Sequence, residues 1–369
     1  MLKHFSVDNF KNFDEKLSFD LSSPANYGFH TDLIEDNIIM KGMVYGINSS
    51  GKSNLGLALL DIVCHLTDKQ KLLQHYTYYS NMNNAKSVVT FKYTFAFDGV
   101  EVKYCYKKTD VMSLLFEQLF IDGKEMLYYD HEKKEGYTKL KGSETLNSSI
   151  RNDSNISRVR YVFTNAILQD DTINHAFHAF MEYVDHMLLF YSLDERGYQG
   201  FYAGTESISK GIIESGQLKD FEAFLNENGI LYHLEEKDID GEKKIYCQFN
   251  NQSADFFQIA STGTRSVALL YFWYIKMQQA SFVFIDEFDA FYHSELAQSI
   301  VRRLLKLQHV QIFLTTHNTD LLSNDLMRPD CYFLLENGSL KMFSECTEKE
   351  LRQAHNLQKM YKAGAFDGK

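Results

Sequence analysis

The stretch GINSSGKSN, residues Gly46 to Asn54, follows the pattern G-x-x-x-x-G-K-[ST]. The run NIIMKGMVY before it is apolar and strand-like, and SNLGLALLDIVCHL after it has the pattern of a helix. A strand, a glycine-containing loop and a helix N-terminus in this order place successive backbone N–H groups around a phosphate. The stretch therefore predicts a phosphate-binding loop at a strand-to-helix turn, as found in α/β proteins.

The side chains of this loop predict how it would hold a nucleotide. Lys52 would face the β- and γ-phosphates, and the Ser53 hydroxyl would bind Mg²⁺. We expect the nucleotide to contact the whole segment, which comprises Gly46, Asn48, Ser49, Ser50, Gly51, Lys52, Ser53 and Asn54.

Two later strand-like runs end in polar side chains. FVFIDEF ends in Asp286 and Glu287. We expect Asp286 to bind Mg²⁺, which prefers a carboxylate with retained waters, and Glu287 to orient and polarise the attacking water. IFLTTHN places His317 just beyond the next strand, within reach of the γ-phosphate or that water. The candidate catalytic residues are thus Lys52, Glu287 and His317.

The run IASTGTRSVALLYFWY carries a second anion-binding pattern. Ser261, Gly263 and Thr264 lie at the start of a predicted helix, and a helix N-terminus attracts anions. One protomer needs a single phosphate cradle. We therefore expect the second cradle to close over the nucleotide of a partner subunit.

Composition narrows the class of protein. Of the 369 residues, 44% are hydrophobic, and 38 basic against 49 acidic residues give a net charge of −11. This charge argues against broad nucleic-acid binding, although Arg151, Arg158 and Arg160 form a local basic cluster that is a candidate nucleic-acid contact. The five cysteines show no C-x-x-C pair, and no apolar run approaches the ~18 residues of a membrane span. We expect a cytoplasmic protein with no membrane partner.

Periodicity divides the chain into β-rich lobes around a helical stretch. Alternating strands with hairpin signals at Asp98-Gly99 and Asp122-Gly123 dominate the first part. Apolar residues at i, i+3 and i+4 follow, and strands then return. We predict an N-terminal lobe over 1–150, a helical insertion over 151–240, a C-terminal lobe over 241–345 and a helical tail over 346–369.

The order of P-loop, STGTR, Asp-Glu strand and His loop resembles the ABC-type ATPases of the SMC, RecF and OLD group. Asn48 and Asn54 in the loop, the N-terminal FSVDNFKNF and the stretch DEFDAFYHSEL strengthen the resemblance, which is nearest to AAA-family ATPases of bacterial anti-phage defence modules. It implies an ABC-type P-loop ATPase head, with a mixed sheet, an antiparallel β-subdomain and a helical insertion. It also implies ATP and Mg²⁺ as ligands, and protomers joined head-to-tail as a dimer or higher oligomer.

The sequence departs from the pattern of that group at three places. Thr262 stands where the commonest signature has Gly, and Tyr292 and Ser294 replace the usual Leu and Pro. The Q-loop position, which normally carries a glutamine, matches either Gln118 or Glu117.

The resemblance leaves more than one function open. OLD proteins carry a nuclease domain after the ATPase, but about 25 residues follow the last predicted strand here, fewer than the ~50 of a minimal domain. We therefore expect a sensor or gate that controls a separate effector, a nuclease or other toxin. The alternatives are a RecF-like DNA repair or recombination ATPase that binds DNA directly, and a transporter cassette. The insertion and the S-x-G-T signature disfavour the transporter.

Overall fold

The computed structural model describes residues 1–69, 71–148, 156–191, 197–201 and 206–366. Its β-strands are β1 (Leu2–Asp8), β2 (Leu17–Asp20), β3 (Ile34–Glu35), β4 (Ile38–Ile39), β5 (Lys41–Tyr45), β6 (Val89–Phe97), β7 (Val100–Lys108), β8 (Leu114–Ile121), β9 (Lys124–Asp130), β10 (Glu135–Thr138), β11 (Met187–Tyr191), β12 (Tyr198–Gly200), β13 (Leu234–Ile239), β14 (Glu242–Gln248), β15 (Ser253–Asp255), β16 (Phe282–Asp286), β17 (Gln311–Thr315), β18 (Tyr332–Glu336) and β19 (Ser339–Met342). Its α-helices are α1 (Lys52–Leu66), α2 (Arg158–Asn165), α3 (Thr172–Asp185), α4 (Ile208–Glu214), α5 (Leu218–Glu227), α6 (Phe256–Ile259), α7 (Thr262–Met277), α8 (Ser294–Leu305) and α9 (Leu357–Lys362).

The chain divides into two compact units. The first comprises Met1–Tyr202, Ser281–Phe288 and Gln311–Lys369, and the second comprises Ala203–Ala280 and Asp289–Val310. The P-loop, the Asp-Glu pair and the His loop all belong to the first unit, whereas the STGTR segment belongs to the second. The lobe boundaries that the sequence pattern predicts are not tested by this division and stay predictions.

The core of the first unit is a mixed sheet in the order β12-β11-β16-β17-β5-β18-β19. Its central pairs are parallel, and β12 and β19 are antiparallel edge strands. Every residue of β5, β16 and β17 is buried, as expected for parallel strands covered on both faces. These three neighbours run the same way, so the P-loop, the Asp-Glu pair and the His loop follow them at one edge of the sheet.

Helix α1 packs closely on this sheet. A Cβ at Gly56 would lie 2.8 Å from the ring of Phe284 on β16 and 3.1 Å from Leu189 on β11. Glycine at this position therefore lets the helix backbone approach the strands. The close approach fixes the helix that begins at the P-loop.

The other large sheet of the first unit is antiparallel, in the order β10-β9-β8-β7-β6-β1-β2. Asp98-Gly99 joins β6 to β7 and Asp122-Gly123 joins β8 to β9. All four residues have positive φ, between 48° and 79°, which suits the tight hairpin turns of twisted strands. Both predicted hairpins are therefore confirmed.

In its described residues, the second unit has an antiparallel sheet, β13-β14-β15, and helices α4 to α8. The guanidinium of Arg303 on α8 lies 4.9, 5.2 and 5.0 Å from the ring centres of Phe224, Tyr271 and Tyr274. It also pairs with Asp220, which accepts a hydrogen bond from Tyr271. These cation–π and ionic contacts hold α8 against α5 and α7.

The stretch predicted as a helical insertion, 151–240, contains strands as well as helices. Met187–Tyr191 continues the apolar pattern of α3, yet it forms β11 and pairs with β16 in the central sheet. A run of five apolar residues fits a buried strand or a buried helix equally well. Periodicity alone therefore gave the wrong element here.

One arginine of the predicted basic cluster is buried and is not available for a nucleic-acid contact. Arg151 lies outside the described residues. Arg158 is 1% exposed, and its guanidinium lies 4.5 Å from the ring centre of Tyr129. Arg160 pairs with Asp68. Since Arg158 is a core side chain, it cannot reach a phosphate backbone.

Candidate nucleotide-binding site

The P-loop connects β5 to α1, and glycine is required at its two fixed positions for different reasons. Gly51 has a φ of 106°, and a Cβ there would lie 2.4 Å from Asn12 Nδ2. A Cβ at Gly46 would lie 2.5 Å from Ser50 Oγ and 2.6 Å from the backbone oxygen of Leu335. Gly51 is thus required by its backbone conformation, and Gly46 by lack of room.

Lys52 is the first residue of α1, and its ammonium turns back over the loop. Nζ donates to the carbonyl oxygens of Gly46 (3.0 Å) and Ile47 (3.2 Å). Burial lowers the pKa of Lys52 by more than the carboxylates of Glu287 and Asp286 raise it, so the pKa lies below its usual value. The ammonium is therefore held over the loop, where P-loop proteins bind the β- and γ-phosphates.

The middle of the loop presents backbone amides. Asn48 and Ser49 are exposed, and Ser49 has a left-handed φ of 65°. The amide of Ser50 donates to Ile47 O (3.2 Å). A bent loop followed by the N-terminus of a helix, here the 15-residue α1, is the arrangement that binds anions in P-loop proteins.

Asn12 belongs to this site, although the sequence reasoning assigned it no role. Its Nδ2 donates to Ser50 O (3.1 Å), and its Oδ1 accepts from Asn54 Nδ2 (2.7 Å). Asn12 therefore ties the segment between β1 and β2 to the P-loop and to the first turn of α1. The sequence pointed to Asn12 only through the stretch FSVDNFKNF, which contributed to the family resemblance as one motif and singled out no residue.

Asp286 ends β16 and faces the start of α1. It is 6% exposed, and its carboxylate accepts hydrogen bonds from the hydroxyls of Ser53 and Thr315. Burial raises the pKa of Asp286 above its usual value, which outweighs the opposite effect of the two hydroxyls and of Lys52. A buried carboxylate of this kind gains from a nearby cation.

The oxygen ligands at this position fit Mg²⁺. The hydroxyl of Ser53 and the carboxylate of Asp286 are hydrogen-bonded neighbours. Mg²⁺ is typically held by one or two such protein groups together with waters and phosphate oxygens. Among the described residues no group of three or more His, Cys, Asp or Glu could hold a metal ion.

Glu287 and His317 face each other beside this carboxylate. Glu287 Oε1 lies 3.6 Å from His317 Nε2, and both side chains are about one-third exposed, at 30% and 38%. Glu287 has a φ of 46°, and its amide donates to Thr315 Oγ1 (2.7 Å). A non-glycine residue in this conformation often marks a functional site. The action of the pair on a water next to the phosphates stays a prediction.

The STGTR segment begins α7 in the second unit. Ser261 caps the helix: its Oγ accepts from Thr264 N (3.1 Å) and lies 2.9 Å from Thr264 Oγ1. Thr264 is buried by this cap, so its predicted contact with nucleotide stays a prediction. A Cβ at Gly263 would have no described atom nearer than 3.8 Å. The N-terminus of this 16-residue helix is thus open to an anion.

The family described as "AAA domain, putative AbiEii toxin, Type IV TA system" matches residues 131–323, just over half of the chain. The chain belongs to this AAA family. The matched range contains the STGTR segment, the Asp-Glu pair and His317, and the P-loop precedes it. No curated protein matches the sequence.

Solved structures of SMC heads are similar to the AAA protein over most of its length. The SMC head domain from Thermotoga maritima has 14% identity and a TM-score of 0.45, covering 92% of this chain and 97% of that one. An SmcHead bound to the C-winged helix domain of ScpA has 12% identity and a TM-score of 0.46, covering 92% and 96%. An Smc head with an extended coiled coil, bound to the C-terminal domain of ScpA derived from Pyrococcus furiosus, has 11% identity and a TM-score of 0.45, covering 92% and 95%. These are loose similarities.

The mixed sheet and the P-loop between β5 and α1 agree with the AAA family that the chain matches. Its fold is an α/β P-loop fold with a mixed sheet and an antiparallel β-sheet. Within the described ranges, no helix is long and apolar enough to cross a membrane.

Proposed function

We propose that this AAA protein hydrolyses ATP in a site completed by a second copy of the chain, and that this cycle gates a separate effector in a bacterial anti-phage defence complex. One observation carries the proposal. The first unit gathers an ammonium, a hydrogen-bonded Ser–Asp pair and a Glu–His pair at one edge of its mixed sheet, contributed by Lys52, Ser53, Asp286, Glu287 and His317.

Each group has a role that its position supports. Lys52 and the amides at the start of α1 bind and orient the phosphates. Ser53 and Asp286 hold Mg²⁺, which when bound offsets charge on the phosphate oxygens. Glu287 orients the attacking water and accepts its proton, and His317 donates a hydrogen bond to the γ-phosphate or to that water.

A second copy would supply the remaining contact. The amides at the N-terminus of α7, with Ser261 and Gly263, would form an anion site of their own in the second unit. A protomer with its own P-loop needs no second cradle for the same phosphates. We assign this cradle to the nucleotide of a partner subunit, in a head-to-tail dimer or a higher oligomer.

The defence setting rests on the family and the resemblance. The family description names a toxin and a toxin–antitoxin system, and the sequence is similar to ATPases of anti-phage modules. In the proposed arrangement, ATP binding and hydrolysis switch the assembly, and a nuclease or other toxic polypeptide responds. A RecF-like protein that binds DNA directly is less favoured, because Arg158 of the candidate basic cluster is buried.

The experiment that tests this function removes the ammonium of Lys52. We expect Lys52→Ala to lower ATP turnover by about 100-fold or more, because the lost charge faces the phosphates. Phosphate release at saturating Mg²⁺ and ATP would be measured for the purified full chain. Circular dichroism would show that the variant keeps its fold.

The matched control is Lys210→Ala, which removes an exposed ammonium from α4 in the second unit. We expect this variant to hydrolyse ATP at the wild-type rate. Turnover that persists in a clean Lys52→Ala preparation, or a wild-type chain with no turnover in any oligomeric state, would contradict the proposed activity.

A further inference from the structure

Thr315, the last residue of β17, makes two hydrogen bonds with one hydroxyl. Its Oγ1 donates to Asp286 Oδ1 (2.7 Å) and accepts from the backbone amide of Glu287 (2.7 Å). The side chain is fully buried. One buried oxygen on β17 thus contacts two consecutive residues at the end of β16, and these are the metal-binding and water-activating residues of the proposed site.

The second of these contacts meets an unusual backbone. Glu287 has a φ of 46°, a left-handed conformation that is uncommon for a residue other than glycine. The hydrogen bond to Thr315 Oγ1 pins the Glu287 amide, and Phe288 N bonds to Thr315 O at 3.3 Å. The turn after β16 is therefore fixed from β17, and this turn sets where the Glu287 carboxylate points.

We propose that Thr315 is a positioning residue for ATP hydrolysis, because a single hydroxyl fixes the Asp286 carboxylate for Mg²⁺ and the Glu287 backbone for the attacking water. This inference rests on the proposed function. Thr315 itself touches neither the phosphates nor the water. Its effect passes through Asp286 and Glu287, as hydrogen-bonded neighbours of a metal ligand commonly act.

A buried threonine on a strand also fills space, so the test must separate the hydroxyl from the volume. Thr315→Val keeps the shape and removes the hydroxyl, leaving Asp286 Oδ1 and the Glu287 amide without this partner. Thr315→Ser keeps the hydroxyl and removes a methyl group. Thr138→Val is the matched control, because Thr138 is a buried threonine at the end of β10. Its Oγ1 lies 2.9 Å from Ser143 Oγ, within hydrogen-bond distance.

We expect Thr315→Val to lower kcat by about 10- to 100-fold, as loss of a partner to a metal ligand does, while KM for ATP at saturating Mg²⁺ changes by less than about 3-fold. The Mg²⁺ concentration for half-maximal activity should rise. Thr315→Ser should restore kcat to within about 3-fold of the wild-type value, and Thr138→Val should leave it unchanged.

A binding measurement tests the same idea without turnover. The affinity of a fluorescent ATP analogue would be measured with Mg²⁺ and with EDTA. The gain in affinity on adding Mg²⁺ should be smaller in Thr315→Val than in the wild-type protein, and it should persist in Thr315→Ser and Thr138→Val. The affinity measured in EDTA should be the same in all four proteins. A wild-type chain that binds the analogue but does not hydrolyse ATP would refute the proposed activity. In that case, a smaller Mg²⁺-dependent gain in affinity in Thr315→Val would still support the proposal that Thr315 positions the Asp286 carboxylate for Mg²⁺.

Three results would overturn the proposal. The first is a Thr315→Val protein with wild-type kcat and wild-type Mg²⁺ gain. The second is a Thr315→Ser protein as impaired as Thr315→Val, which would assign the effect to volume. The third is an equal loss in Thr138→Val, which would assign it to general destabilisation. If Thr315→Val does not fold, a Thr315→Ser protein with wild-type kcat and Mg²⁺ gain supports the proposal, and an impaired one overturns it.

Discussion

At the scale of single residues, the proposed site is held by backbone geometry as well as by side-chain contacts. Glu287 and Ser49 both have left-handed φ, at 46° and 65°. Such conformations cost on the order of 1–3 kcal/mol each and persist only where the surrounding structure imposes them. Left-handed φ also occurs in other turns of the chain, such as those at Asp98 and Lys134, and these two instances lie in the P-loop and after β16, the two segments that would meet the nucleotide. This strain is consistent with a site preorganised for phosphate and water.

We expect His317→Ala to lower kcat by about 100-fold and to change ATP affinity far less, because its contact is made with the γ-phosphate or the attacking water as charge develops. The kcat and the dissociation constants for ATP and ADP would be measured separately. His178→Ala, which removes an exposed imidazole from α3, is the control and should change neither. An equal loss of affinity for ATP and ADP with normal kcat would make His317 a structural residue.

Some site residues could be predicted from sequence and others could not. Lys52 and Ser53 occupy fixed positions in a short motif, and Asp286 follows an apolar strand, so local pattern was enough. Thr315 looked like any β-branched strand residue, since a hydroxyl in a strand carries no sign of its partner. Asn12 bonds to Ser50 across 38 positions, a contact that no local pattern encodes.

At the scale of elements, α1 is joined to the antiparallel sheet by buried polar groups. Asp61 of α1 pairs with Lys108 Nζ of β7 at 2.7 Å, and both side chains are fully buried. Tyr79 and Tyr106 donate to the same carboxylate, at 2.7 and 2.9 Å. Further along α1, the His65 ring bonds to Tyr104 OH at 3.0 Å. These contacts connect the helix after the P-loop to the β-meander.

The connection continues to Glu117 on β8, one of the two candidates for the Q-loop position. Its fully buried carboxylate accepts from Tyr104 OH (2.9 Å), Ser157 Oγ (2.6 Å) and Arg158 N (2.6 Å), and it lies 2.7 Å from His131 Nε2. Both carboxylate oxygens are thus engaged within the fold. Glu117 is a structural residue that joins β7, β8 and the start of α2.

Glu117→Gln should destabilise the protein by about 2 kcal/mol or more at pH 7, because the amide turns a donor toward neighbouring donors. Burial raises the pKa of Glu117, but the hydrogen bonds and His131 outweigh it and hold the pKa below its usual value. The ionised carboxylate therefore stabilises the fold above about pH 4.3, the unfolded value, and this contribution is lost as pH falls through the lower folded value.

Urea unfolding of the wild-type and Glu117→Gln chains at pH 7 and at about pH 3 checks this sign, since the difference should shrink in acid. Glu132→Gln, an exposed change in the turn after β9, is the control and should alter stability at neither pH. A stability difference that stays constant between the two pH values would show that the charge of Glu117 is not what stabilises the fold.

Element prediction from sequence succeeded where one pattern allowed one structure. The Asp-Gly turns fixed two hairpins, and the alternation in β6 to β9 marked the buried face. The strand β11 was missed because its five apolar residues fit a helix as well. Lys108 stands on the buried face of β7, which breaks the apolar pattern, and its partner Asp61 lies 47 positions away. The sequence shows a charged residue at a position predicted to be buried, but it does not show which residue pairs with that charge.

At the scale of the whole molecule, ATP is proposed to bring two copies together. We expect Glu287→Gln to bind ATP and Mg²⁺ but to hydrolyse slowly, because an amide cannot accept the proton of the water. The stalled protein should therefore collect as ATP-dependent dimers or larger oligomers, visible by light scattering. Adding Gly263→Asp should abolish this shift, since the new carboxylate would repel the γ-phosphate. A Glu287→Gln protein with the same mass in the presence and absence of ATP would contradict a nucleotide site that a partner subunit closes.

The most direct test of the shared site mixes two inactive proteins. Lys52→Ala lacks a working P-loop and Gly263→Asp lacks a working cradle, so each alone should release no phosphate. In a mixed dimer, one site combines the intact P-loop of one copy with the intact α7 N-terminus of the other. At equal concentrations, random pairing should restore about one quarter of the wild-type ATPase rate. A mixture as inactive as its two components, although mixed dimers are shown to form, would contradict a nucleotide site built from two copies.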